Sequence, residues 1–406
     1  MKQARYKLLE ISSRSLFILS VLYFFPVELA GKFGFILLLF GFFSIFYGFE
    51  RYISLQREII NESEHSVSRK LASTFRFYIF NFLISCPLLA ILLFNYGISN
   101  IILILCCLLI SFTEHISNAV YNISIVYSTY LVAMPSIIIK NLFMFILVVL
   151  LIFFKQENTI EIIIYCWSIL SFLQLIIFSK WFANSLSVSK IQFWKYSLGE
   201  IKNHYSVAKI NFLIGLISVL SLQCDRLIVG YSFDSFFTGI YFRHVSLISI
   251  FYQLFNIVSY NRMVPKIFSE AKEQPFSRLR KSINNEFKNI TLILVVFTIL
   301  FVLGYYLLLK PFFLFFHIDI YIVLFLLIIF YIKIYADFQG MILNALNLEI
   351  KLCIFQFLTV LISVLLMLAF IPHFQISGVL FASFIGTIFY ASIMYFYKPS
   401  LKLARN

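Results

Sequence analysis

The sequence predicts an all-α polytopic membrane protein of about twelve transmembrane helices, built as two halves of six. Three observations carry that prediction. The chain of 406 residues is 62% hydrophobic and only 12% charged, with a mean hydropathy of +0.95, outside the range of soluble globular domains. Apolar runs of the ~20 residues needed to cross a ~30 Å hydrocarbon core at 1.5 Å per residue recur from end to end. Basic residues gather in every second connecting segment. A membrane β-barrel is excluded, because its strands would read as short alternating segments.

Taken in order, the spans fall at 11–30, 33–50, 75–96, 98–121, 133–154, 160–182, 206–230, 237–262, 287–309, 317–346, 350–371 and 374–397. The first follows a basic tail (Lys2, Arg5, Lys7), but "YFFPVELAGKFGF" runs straight into the second, so it reads as a retained anchor rather than a cleaved signal. One set of connections is basic: Arg51, Arg57, Arg69, Lys70 and Arg76; Lys180, Lys190, Lys195, Lys202 and Lys209; and Arg262, Lys266, Lys272, Arg278, Arg280, Lys281 and Lys288. The C-terminal tail adds Lys398, Lys402 and Arg405, whereas the opposite set has only Lys32, Lys155 and Lys310. Positive charge stays on the cytoplasmic side, which places both termini there. The formal net charge of +14 therefore reads as orientation, with some attraction to anionic membrane lipids, and not as a nucleic-acid surface.

The polar stretches near 51–74, 183–205 and 263–286 are all on the basic side. The middle one, "NSLSVSKIQFWKYSLGEIKNHYS", sets Ile191, Phe193, Trp194, Tyr196 and Leu198 among lysines, as a helix lying along the membrane surface does. It divides the chain into an N-terminal lobe (1–185), an amphipathic connector (186–205) and a C-terminal lobe (206–406). The halves echo each other: Gly31-Lys32-Phe33 and Gly239-Ile240-Tyr241, about 208 residues apart, both sit at the first outer hairpin of a six-span unit, the arrangement expected of a transporter built from repeats. The six cysteines (Cys86, Cys106, Cys107, Cys166, Cys224, Cys353) all fall in apolar spans without zinc-like spacing, so no disulfide or metal site is expected.

Several spans carry polar residues at steps of three and four, which share one helical face. Span eight has Arg243, Ser246, Ser249, Gln253, Asn256 and Tyr260; span ten has Lys333, Asp337, Gly340, Asn344 and Asn347; span seven has Asn211, Ser218, Ser221 and Asp225; span four has Ser111, His115, Asn118 and Asn122, with Glu114 beside them. Such faces belong to a polar cavity between helices. A charge at mid-membrane costs ~2.5–3.5 kcal/mol on insertion scales. Within or near the spans, Arg14, Arg51, Lys140, Arg226, Arg243 and Lys333 outnumber Glu114, Asp225 and Asp337, and the surplus would attract an anion. The structural alternatives stay open. Arg14, Arg51 and Lys140 lie near helix ends and can snorkel, Lys333 and Asp337 are spaced for an i,i+4 salt bridge, Asp225 can pair with Arg243 across the outer hairpin, and His115 and His244 fit packing roles.

"CDRLIVGYSFDSFFTGIYF" resembles the Asp-Arg-hydrophobic-Gly, then Gly-hydrophobic-Tyr, pattern of the seventh helix of lipid-linked oligosaccharide flippases. These are the O-antigen (Wzx-type) branch of the multidrug/oligosaccharidyl-lipid/polysaccharide exporter superfamily. "VELAGKFGF", "YGFERYIS" and "NRMVPKIFSEAKE" are similar to that family's first outer hairpin, second-helix end and eighth-helix exit. The resemblance implies two six-helix lobes around a central cationic cavity, alternating between open states in the inner membrane of a bacterium. Its substrate would be an undecaprenyl-diphosphate-linked oligosaccharide bound for lipopolysaccharide biosynthesis, and the polysaccharide polymerase machinery would be a candidate partner. Arg51, Arg243, Lys140 and Arg14 are then candidates to meet the diphosphate, and Lys333, Gln253 and Asn256 to meet the rest of the substrate. Asp225, Glu114 and Asp337 are candidates for H+ or Na+ coupling, and no cofactor is expected. An O-antigen polymerase is the enzymatic alternative, but it would carry a large outer loop, and each outer loop here is short. A drug or cation exporter of the same superfamily is the other, but it would favour a cavity rich in acids.

Overall fold

The computed structural model of the chain describes residues 2–59, 64–126, 134–154, 159–185, 198–255, 261–271, 274–306 and 318–397. All its regular elements are helices: α1 (Lys2–Phe24), α2 (Val27–Gly48), α3 (Arg51–Ile59), α4 (Glu64–Asn95), α5 (Ile101–Val126), α6 (Met134–Phe153), α7 (Thr159–Ser185), α8 (Leu198–Ser232), α9 (Ser235–Phe255), α10 (Asn261–Glu270), α11 (Phe276–Gly304), α12 (Ile320–Ala345) and α13 (Glu349–Phe396). Among the described residues, nine helices are long and apolar enough to cross a membrane. The charged α1 and the polar-striped α9 fall outside that set, and α13 holds the last two spans as two arms, so every one of the twelve expected spans has its helix.

Two short helices occupy stretches that composition marks only as polar. In α10, Met263 and Ile267 join Ile283, Phe287 and Phe338 in one core, so one apolar face is enough to dock it. The break between α2 and α3 falls on Phe49 and Glu50, with φ of 49° and 51°, a left-handed conformation that costs a non-glycine residue roughly 1–3 kcal/mol unless its surroundings hold it. An aromatic box does so: Phe49 stacks on Phe212 at 4.2 Å and meets Phe77 and Tyr205 edge-on. Gly215 gives the Glu50 side chain its room. The amphipathic-connector expectation lies largely outside the described residues, since 186–197 are among those not described and α8 begins at Leu198.

Two compact units emerge. The first comprises Met1–Phe25 and Lys32–Leu216, the second Pro26–Gly31 and Ile217–Asn406. In the first, α1 packs on α6 and α5 on α7, around Phe17, Phe33, Phe40 and Trp167. The opening half of α8 belongs here, tied by Tyr205 Oη donating to Asn81 Oδ1 at 2.5 Å. In the second unit α12 is the hub, packed against α9, α11 and α13.

Helix α13 turns at Gln375 (φ 49°, ψ −129°), three residues after Pro372. Its arms run antiparallel, because Gly378 lies against Phe370 and Gly386 against Ser363, pairs that both centre close to Phe374. Within the same unit the segment carrying Gly31 meets the start of α9. A Cβ on Gly31 would strike the Ser235 carbonyl, and one on Gly239 would strike the Val27 carbonyl. The two Gly-x-aromatic motifs thus touch through backbone. Because backbone cannot step aside as a flexible side chain can, Gly239→Val is expected to lower the melting temperature of the purified protein by several degrees. An unchanged melting temperature would show that these backbones do not meet.

Candidate functional site

In the first unit the polar centre is Glu114 on α5. Its carboxylate accepts from Lys140 Nζ of α6 at 2.5 Å and pairs with an Arg14 guanidinium nitrogen of α1 at 3.6 Å. Side-chain exposure is 3% for Lys140 and 13% for Glu114 but 38% for Arg14. One acid therefore pins three helices and leaves one positive charge over, on the side chain that is open. Asn141 Nδ2 donates to Ser13 Oγ at 3.5 Å alongside. The sequence offered Lys140 and Arg14 as equivalent ligands; the geometry neutralises and covers Lys140 and leaves Arg14 reachable.

Arg51 is engaged with side chains of the first unit. It is 3% exposed. Its Nε donates to His204 Nδ1 at 3.0 Å, one terminal nitrogen to Ser54 Oγ at 2.6 Å, and both terminal nitrogens reach the Glu58 carboxylate at 2.8 Å. His204 Nε2 completes the chain with Ser73 Oγ at 2.7 Å. With its charge balanced and its donors engaged, Arg51 fastens α3 to α4 and α8 rather than facing a ligand. The first half of the span-four stripe is likewise turned inward: Ser111 Oγ bonds Tyr47 Oη at 3.0 Å and His115 Nδ1 bonds Ser44 Oγ at 3.0 Å, whereas Asn118 is exposed. Gly48 provides the space for the His115 ring, in keeping with a packing role.

The second unit holds its acids differently. Tyr241 Oη donates to Asp225 Oδ2 at 2.5 Å across the α8–α9 hairpin, so a tyrosine meets Asp225 there. Asp337 Oδ2 accepts from Tyr252 Oη at 2.8 Å and Oδ1 from Tyr390 Oη at 3.4 Å. Gln356 Nε2 reaches Tyr390 Oη at 3.3 Å and its Oε1 accepts from Ser218 Oγ at 3.2 Å, making a relay from α8 through α13 to α12 and α9. The i,i+4 salt bridge expected of Lys333 and Asp337 does not close. Lys333 Nζ donates instead to the Ser221 carbonyl and to Ser221 Oγ, the latter at 3.2 Å. The Asp337 carboxylate is already held by two phenols, and Ser221 offers Lys333 both a carbonyl and a hydroxyl oxygen.

Lys333, Asp225, Ser221, Thr359, Ser363, Ser383, Thr387 and Tyr390 line a cavity of about 50 Å³, room for a few waters or a small ion and far too small for a sugar chain. Arg243 is buried, at 2% exposure, and Arg226 has a buried Nε with no partner among the described residues. The hydroxyls of Ser246 and Ser249 donate to carbonyls of their own helix, Arg243 and Ser246, at 3.0 and 2.9 Å, which leaves their oxygens as acceptors. The side chain of Gln253 and the whole of Asn256 lie outside the described residues. His244 is a packing residue in full: its Nε2 accepts from the Asp319 backbone N–H at 2.8 Å, so the proton sits on Nδ1 and is donated to the Ile240 carbonyl at 2.7 Å.

Sequence reading missed Tyr241, Tyr252, Tyr390, His204 and Glu58, the groups that hold the charges it found. Tyr252 stands three residues after Ser249, in step with the stripe, but an aromatic ring counts as apolar until a partner is seen for its hydroxyl. The Glu114 cluster yields a test. Removing one partner of a buried ion pair costs roughly 3–5 kcal/mol, so Glu114→Gln is expected to lower the melting temperature sharply, and Lys140→Met in the same chain to restore much of the loss. If both variants melt like the parent, Glu114 does not bind these helices together.

No protein-family model matches the chain, nor does any curated protein. Solved structures do. An inward-facing multidrug resistance MATE transporter of the MOP superfamily matches with a TM-score of 0.67 and 11% identity, over 95% of this chain and 92% of that one. The lipid II flippase MurJ, in an inward closed conformation, matches at 0.64 and 17%, over 96% and 86%. A Vibrio cholerae MATE transporter, VcmN, matches at 0.57 and 13%, over 97% and 95%. At such identities the likeness is one of fold, and it runs along almost the whole length of this chain.

Proposed function

We propose that the chain is a transporter, a flippase that carries an undecaprenyl-diphosphate-linked oligosaccharide from the cytoplasmic to the periplasmic leaflet of a bacterial inner membrane by alternating access. The observation that carries the reading is the charge balance inside the helices. Among the described residues, Lys333 donates to hydroxyl and carbonyl oxygen and no carboxylate closes an ion pair with it, the Arg226 Nε has no partner, and Arg14 and Lys140 meet the same acid, Glu114. A low-dielectric interior keeps such excess positive charge only where an anion or water comes to it.

In this reading Arg243 and Arg14 attract the diphosphate, with Arg226 and Lys333 contributing to the positive field. Arg243 is covered in the described state and is uncovered in another state of the cycle. The α9 serine oxygens, with Gln253 and Asn256, accept and donate to sugar hydroxyls. Arg51 and Lys140 support helix packing. Glu114 is spent on two cations, so Asp225, which lines the small cavity, and Asp337, hydrogen-bonded to its Tyr390, are the better candidates to bind a coupling proton or sodium ion. The likeness to MurJ, a lipid II flippase, supports a lipid-linked substrate. The equal likeness to MATE exporters favours a second reading, export of a drug or cation, and the excess of bases over acids weighs against it. Both readings make the chain a transporter rather than an enzyme.

Cells lacking the protein are expected to accumulate lipid-linked repeat units on the cytoplasmic leaflet. Restoring the parent chain clears them, and restoring Arg243→Ala, inserted at the same level, does not. Clearance by Arg243→Ala would count against the cationic site, and single repeats stranded on the outer leaflet would point to a polymerase.

A further inference from the structure

The first turns of α11 carry a second basic site, made of residues that have no part in the transport reading. Arg280, Lys281, Asn284, Asn285 and Lys288, with Ser277 and Phe276, line a groove of about 540 Å³. We propose that this groove docks the phosphate headgroup of an acidic phospholipid of the surrounding bilayer, with its acyl chains lying along the rest of α11.

Two features favour that occupant. The first is preorganisation. Arg280 is fixed by the carbonyls of Met394 and Tyr395 at 2.9 and 2.6 Å and lies 5.0 Å over the Phe276 ring. Its Nε donates to Gln339 Oε1 at 3.3 Å. An arginine only donates, so the Gln339 oxygen must face it, and Gln339 Nε2 then donates to Asn284 Oδ1 at 3.0 Å. That leaves the Asn284 amide nitrogen, a donor, with hydrogen-bonding capacity to spare. No carboxylate lies within ion-pair distance of Arg280, Lys281 or Lys288 among the described residues. The groove therefore offers donors and positive charge, the complement of a phosphate.

The second feature is depth. Lys281 and Lys288 are seven residues apart and share a face, and the same face continues through Leu292, Val295, Ile299 and Leu303, all exposed apolar side chains. From Lys288 to Leu303 this strip runs about 22 Å at 1.5 Å per residue, longer than one leaflet's half of a ~30 Å hydrocarbon core. A charged groove that opens directly onto such a strip matches a ligand with a phosphate at one end and acyl chains at the other. Basic pockets at the membrane edge of transmembrane helices bind acidic headgroups on these grounds.

The test is native mass spectrometry of the full chain from an equimolar mixture of phosphatidylglycerol and phosphatidylcholine. The parent is expected to retain phosphatidylglycerol preferentially. Lys281→Gln with Lys288→Gln should cut that preference roughly tenfold, while Lys202→Gln with Lys209→Gln, exposed lysines on α8, leaves it intact. Raising the salt should strip phosphatidylglycerol from the unaltered protein, a readout independent of any variant. A preference that survives in the α11 double variant, or that ignores salt, overturns the proposal.

Discussion

A charge inside a hydrocarbon slab has to bring its partner with it, and that constraint organises both units of this protein. Water is not there to solvate what the fold leaves unsatisfied, so each ionisable side chain becomes either a fastener between helices or a place where something polar must arrive. The first unit takes the fastening route. Glu114 gathers Lys140 and Arg14, and Arg51 gathers Glu58, His204 and Ser54. The second unit satisfies its acids with phenols instead: Tyr241 for Asp225, Tyr252 and Tyr390 for Asp337. A neutral donor steadies a carboxylate without cancelling its charge, so this unit keeps ionic character that the first has largely spent.

That difference separates what the chain's letters disclose from what they hide. Helix number and rough limits are legible because bilayer thickness fixes a length, and apolar runs of that length have few other uses. The stripes on α8, α9 and α12 are legible because three-and-four spacing is geometry within one helix. Partner choice is a relation between helices, and no periodicity encodes it. Lys333 and Asp337 are spaced for each other, yet Lys333 reaches across to Ser221. Arg51 looks like a ligand by position, and only the fold brings His204, 153 residues away, to its Nε.

Tyrosine is where a residue-type reading loses most. In a chain with 24 tyrosines and 51 phenylalanines, the rings merge into general hydrophobicity, and the hydroxyls that matter are told from the rest only by what stands opposite. The short helices escape for a related reason. The apolar face of α10 is two or three side chains deep, and it becomes a helix worth forming only when Ile283, Phe287 and Phe338 are there to receive it. The quoted motif around Asp225 gains a physical meaning once folded: its acid and its tyrosine are the two ends of one hydrogen bond, and its glycine is where another backbone passes.

The turn at Gln375 carries a consequence for how this part of the chain can vary. The arms of α13 interlock through small residues at fixed distances on either side of it, Gly378 against Phe370 and Gly386 against Ser363. Adding or deleting a single residue between Ser363 and Gly386 would swing one arm by about 100° relative to the other, turning the glycine seam outward and a branched side chain inward. Substitutions on the outer faces are tolerated, while the count of residues between the contacts is held constant, so related chains should drift freely in composition here yet keep the spacing.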